Sequence, residues 1–136
     1  MSVQLLDPAP EIETRMQVFL IRELELFIWF DDRINGYRIE LFLSTNAGQL
    51  RSEESIEARE KPADWCNWSY RFRRIVDSKE PHSVDWLREQ FPEHSIQNRL
   101  ICQALGKLNS TTAFCRNDVE VKSDLFKKAC SYINLF

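Results

Sequence analysis

Glycine and proline are scarce in this chain, with three Gly and five Pro in 136 residues. That scarcity excludes collagen-like repeats, low-complexity disorder and an extended linker. The four cysteines, Cys66, Cys102, Cys115 and Cys130, include no pair at CxxC spacing, so neither a zinc knuckle nor a thioredoxin-type site is encoded. No HExxH, GxSxG or P-loop is present, and the only histidines are His82 and His94. The longest apolar runs, Val18–Ile21 and Leu26–Phe30, fall far short of the ~20 residues that span a bilayer. The first residues, Met1 to Pro8, carry neither the cationic nor the apolar region of a secretory leader. These absences predict a cytoplasmic protein with reduced thiols, no membrane association, no cofactor and no metal. They also predict no enzymatic activity.

What is present suits one folded domain over residues 1–136, with 43% hydrophobic, 12% aromatic and 29% charged residues. The net charge is −3. That balance disfavours a protein that coats nucleic acid or anionic lipid, both of which need a cationic footprint. The excess acid lies in the first eighty residues. Its densest part is the polar stretch Ser44–Asp64, with Glu53, Glu54, Glu57 and Glu60. This stretch reads as a solvated loop or short surface helix, or as an acidic docking surface for a basic partner.

Asn35-Gly36 lies between apolar segments, a dipeptide that favours a two-residue hairpin turn because both positions tolerate positive φ. That turn pairs Ile34 with Tyr37, Phe30 with Leu41 and Ile28 with Leu43. The opposite row then holds Trp29–Phe42, Asp31–Glu40 and Arg33–Arg38. A one-residue slip would mix the apolar and polar rows, so the register is specified. Asp32 falls on the apolar row, which suits only a strand end open to water.

Cys66–Arg73 alternates polar and apolar residues over eight positions and predicts a third strand. It would send Trp68, Tyr70 and Phe72 inward and Asn67, Ser69, Arg71 and Arg73 outward. A helical reading competes, because Trp65, Trp68, Phe72, Ile75 and Val76 also form a stripe after Pro62. Aromatic content favours the strand. Glu11–Glu25 predicts a helix, with a strand from about Leu24. Ser83 caps a short helix carrying Trp86, Leu87 and Phe91, and a second helix runs from about Glu93 to Leu108. A third begins near Ser123 and buries Leu125, Phe126, Ala129, Cys130 and Ile133. Thr111–Cys115 and Val119–Val121 flank a small turn. The fold class expected is α+β: a small antiparallel sheet, made of the hairpin and a third strand, packed by an N-terminal helix and C-terminal helices.

Two groups of residues point to binding rather than catalysis. Trp29 and Phe42 on the hairpin, with Arg71 and Arg73, supply the aromatic and guanidinium groups that anchor protein interfaces. The reading they support is a protein-binding factor: an adaptor, inhibitor, chaperone-like or immunity-type protein. The second group is His94, Gln97, Asn98 and Arg99, at the polar start of the second C-terminal helix. In a winged helix-turn-helix these would meet base edges, since Gln and Asn match adenine and Arg matches guanine. A nucleic-acid-binding regulator is therefore the alternative reading.

Overall fold

The computed structural model describes residues 18–106 and 118–136. Its fold is α+β, built on a four-stranded antiparallel sheet with helices on both faces. The strands in chain order are β1 (Val18–Phe19), β2 (Ile21–Asp31), β3 (Gly36–Thr45), β4 (Gly48–Glu57), β5 (His82–Ser83) and β6 (Ser131–Leu135). The helices are α1 (Trp65–Trp68), α2 (Arg73–Asp77), α3 (Val84–Glu89), α4 (Ile96–Gly106) and α5 (Asp118–Lys128). A 3₁₀ turn at Ser69–Phe72 joins α1 to α2, and another at Ala58–Glu60 follows β4. The main sheet runs in the order β4-β3-β2-β6, while β1 and β5 pair apart from it.

The hairpin forms, but its turn is longer than Asn35-Gly36. Asp31 pairs with Gly36, Phe30 with Tyr37, Trp29 with Arg38 and Ile28 with Ile39. Residues 32–35 make the turn, closed by Ile34 N donating to Asp31 O and Asn35 N to Asp32 O. The Asp31 carboxylate also accepts from Arg33 N at 3.0 Å, a local bond that competes with continued strand pairing. Relative to the expected register, each partner has moved by four residues (Phe30 meets Tyr37 rather than Leu41), an even shift, so every side chain keeps its face. Asp32 leaves the strand and is exposed, which removes the anomaly. Asn35 alone takes a positive φ, at 48°. Gly36 is needed for a different reason: a Cβ there would lie 2.3 Å from the Ile56 carbonyl oxygen of β4.

The third strand is not Cys66–Arg73. It is β4, inside the stretch read as loop or surface helix. Leu50, Ser52 and Ile56 face the main core, while Arg51, Glu53 and Ser55 face the other way. The three carboxylates Glu53, Glu54 and Glu57 obscure this alternation. Thr45 shapes the β3–β4 turn: its hydroxyl accepts from Ala47 N and donates to Gly48 O, and Gly48 takes φ +113°.

Cys66–Arg73 is helical because of what precedes it. Asp64 caps the segment, its Oδ1 accepting from Cys66 N at 2.9 Å. The helical stripe then wins: Trp65, Phe72, Ile75 and Val76 are buried, with Trp68 packed against them. Ser69 turns inward and Tyr70 outward, the reverse of the strand expectation.

Two further expectations change. Residues 18–25 are extended rather than helical, and the part of the expected N-terminal helix before Val18 lies outside the described residues. The last helix ends at Lys128 rather than running through Ile133. Ser131–Leu135 becomes β6, pairing with β2 so that Ile133 and Leu135 face the main core and Tyr132 and Asn134 the opposite side. Val119–Val121 belongs to α5, while Thr111–Cys115 and Leu108 lie outside the described residues. The two helices α3 and α4 form as expected, with Ser83 Oγ accepting from Trp86 N and with Leu100, Ile101, Ala104 and Leu105 buried.

The sheet therefore separates two cores. The larger holds Leu24, Leu26, Ile28, Ile39, Leu41 and Leu43 against α1 to α4. The smaller holds Phe27, Trp29 and Phe42 against Leu125 of α5. At ~1.5–3 kcal/mol per fully buried large apolar side chain, the first dominates stability. No helix among the described residues is long and apolar enough to cross a membrane.

Candidate partner-binding surface

The helical segment from Trp65 to Asp77 has one face set by burial and the other by charge. Asn67, Tyr70, Arg71 and Arg74 are exposed, at the i, i+3, i+4, i+7 spacing of one helix face. Tyr70 is 65% exposed, among the most open large side chains of the described residues. Among the described residues, neither Arg71 nor Arg74 forms an ion pair. Arg73 sits a step around the helix and reaches Asp77 at 3.6 Å.

This stripe rests on a rigid base. Its buried face forms a run of edge-on or tilted rings, from Tyr37 through Trp65, Trp68 and Phe72 to Phe91, with centroids 5.0–5.9 Å apart. Gln97 Nε2 donates to Trp68 O at 3.3 Å and ties the segment to α4. Ser69 Oγ donates to Cys66 O at 2.8 Å. Tyr70 and its arginines thus stand on a backbone that need not be ordered when something binds.

Trp29 and Phe42 are placed quite differently. They lie on the opposite face of the sheet from Arg71 and Arg73, so the four residues do not form one surface. Both are buried under α5, so neither is open to a partner. Lys128 Nζ stands 4.2 Å above the Trp29 ring, and Lys122 Nζ stands 4.9 Å above Phe42.

Three buried carboxylates surround these rings. Glu25 accepts from Lys122 Nζ at 2.5 Å and from the Tyr132 hydroxyl at 2.7 Å. Burial and this bond push the Tyr132 phenol up to about 12. Asp31 accepts from Arg38 Nε at 2.6 Å, and the bonds from Arg38 and Arg33 hold its carboxyl well below the usual carboxylate range. Glu40 pairs with Arg51 at 2.9 Å, but burial outweighs the guanidinium and raises its carboxyl. Each acid is matched within the fold, which makes this face a structural network.

The residues of the nucleic-acid reading are also engaged internally. Gln97 is buried against Trp68. Asn98 Nδ2 donates to Arg88 O at 3.0 Å and Arg99 pairs with Glu54 at 3.2 Å. Only His94 is fully open, in a left-handed backbone conformation with φ 67°. A cleft of about 290 Å³ beside them is lined by Asp85, Glu89 and Glu93 together with Arg88. Three carboxylates around that cleft oppose a phosphate backbone.

The β4 part of the acidic stretch is similarly spent. Glu53 pairs with Arg38, Glu54 with Arg99 and Glu57 with Arg59. Of the residues that the sequence suggests for partner binding, Arg71 lies on this stripe, while Tyr70 and Arg74 are not among them. The 67–70–71–74 spacing, read on the helical alternative, was the signal that would have found them. Compared with protein-family models, with curated proteins and with solved structures, the chain matches none.

Proposed function

We propose that this chain is a protein-binding factor that engages an acidic patch on its partner through Tyr70, Arg71 and Arg74. The observation that supports it is the exposed Tyr70 beside Arg71 and Arg74, which form no ion pair among the described residues, on a segment whose other face is locked into the core. Tyrosine and arginine are the residue types that concentrate binding energy at interfaces, and here neither must be freed from an internal partner. Charge also sets the sign of the partner. The carboxylates of β4 are paired to the chain's own cations, so the free charge of this stripe is positive and suits an acidic protein.

The test is capture of the tagged full chain's partners after nuclease treatment, compared between wild type and Tyr70→Ala, Arg71→Glu and Arg74→Glu. The reading expects a stoichiometric protein that survives nuclease and is lost with each variant while circular dichroism is unchanged. Capture that is indifferent to all three variants, or an eluate of nucleic acid alone, overturns it.

A further inference from the structure

A cleft of about 440 Å³ lies where β1 meets β2 and α2 ends, well within the size range of small-molecule sites. Leu20, Ile21, Val76 and Phe136 supply its apolar wall. Arg22 and Lys79 supply two cations, and among the described residues neither forms an ion pair. Asp77 also reaches the cleft, but Arg73 stands 3.6 Å from its carboxylate.

Two irregularities of the backbone bring those cations to one place. The β2–β3 register shifts between Ile21 and Glu23, which leaves Arg22 as the extra residue of a β-bulge. Bulges re-aim a side chain out of the ladder's alternation. Lys79, just past the C-terminus of α2, adopts φ +58°, the left-handed conformation that helix ends and their surroundings favour.

Those surroundings are built. The Ser78 hydroxyl and His82 Nε2 are hydrogen-bonded across the loop that carries Lys79, and the His82 ring stacks on Trp86 at 3.5 Å and 11°. On the other wall, Leu20 is held from both sides by Asn46. Leu20 N donates to Asn46 Oδ1 at 3.0 Å, and Asn46 N donates to Leu20 O at 3.3 Å. The cleft is preformed, which lowers the ordering cost of binding.

We infer that this cleft binds a small amphipathic anion, a carboxylate with an apolar tail, independently of the Tyr70 surface. The carboxylate sits between the Arg22 guanidinium and the Lys79 ammonium, and the tail lies along Leu20, Val76 and Phe136. A guanidinium offers paired donors to a carboxylate, and the lysine adds a second charge without demanding geometry.

The experiment is a titration of the full chain with sodium octanoate, followed by amide chemical shifts, with neutral octanamide as the control. Saturable shifts at residues 20–22, 76–79 and 136 are expected, with Kd on the order of 1 mM or tighter for a ligand of this size. Octanamide is expected to bind at least about tenfold more weakly, since a charge contact of modest strength is worth about that factor. Arg22→Ala with Lys79→Ala, both on exposed residues, is expected to remove that preference. Leu20→Trp is expected to block both ligands. Absence of saturable shifts up to about 10 mM overturns the inference, because a preformed site of this kind holds such ligands near 1 mM. Equal binding of octanamide, or an undiminished preference in the double variant, overturns it as well.

Discussion

Arg38 Nε donates to Asp31 Oδ2 at 2.6 Å, and the same carboxylate takes Arg33 Nε on its other oxygen at 3.3 Å. Asp31 thereby ends β2, orders the turn and fixes a guanidinium of β3. Its carboxyl is held below the unfolded value of about 3.9, so the stability it contributes is present above about pH 4. That contribution is lost as pH falls through the folded-state value. Asp31→Asn is expected to be less stable than wild type in urea at pH 7, with the gap shrinking below pH 4. A gap that is constant with pH would show that the carboxylate's charge is not what matters.

Gly36→Ala places a methyl carbon 2.3 Å from a backbone oxygen of β4, where no side chain can yield. The β3–β4 pair must shift, at a cost of about 1–3 kcal/mol. Urea unfolding is expected to show a lower midpoint with unchanged slope.

Leu125 is the one buried side chain of α5 among the described residues, over Phe27, Trp29 and Phe42. Leu125→Ala is expected to lower stability by about 2–4 kcal/mol. Amide exchange in α5 is expected to speed up more than in α4, which buries five residues. Equal acceleration in both helices would mean that α5 opens only with the whole domain.

Tyr132 donates to a buried carboxylate, and its phenol is pushed up to about 12. A group raised in this way stabilises the fold fully below about pH 10 and loses that effect as pH rises through about 12. Absorbance at 295 nm is expected to show a tyrosine component near pH 12 that Tyr132→Phe removes. The same variant is expected to lose about 1 kcal/mol at pH 8, from the bond to Glu25.

The legible parts of this fold were those where one local rule acted unopposed. Ser83 followed by Trp86 and Leu87 reads as a capped helix, and the Leu100–Ile101–Ala104–Leu105 stripe admits no strand. The hairpin faces were legible because alternation survives an even slide, here of four residues. The slide itself was not, because it depends on Asp31 reaching Arg33 and Arg38 and on Gly36 meeting β4. Cys66–Arg73 carried both periods at once, and the cap at Asp64 together with the core beneath Trp65 and Phe72 decided it. At β4 the polar Ser52 and Glu54 stand between Leu50 and Ile56 on the core side, so the strand leaves little hydropathic trace.

The surface was legible in part for the same reason. Arg71 is exposed on either reading, but Tyr70 changes face between strand and helix. Trp29 and Phe42 are hidden by α5, a cover from ninety residues further on that no local pattern foretells.

Replacing Tyr70 with a photo-crosslinking phenylalanine analogue in the full chain, within its native lysate, is the most direct test of the Tyr70 surface. One dominant protein adduct is expected, resistant to nuclease and lost when Arg71→Glu and Arg74→Glu are added. An adduct to nucleic acid, an adduct unchanged by both reversals, or no adduct at all would contradict it.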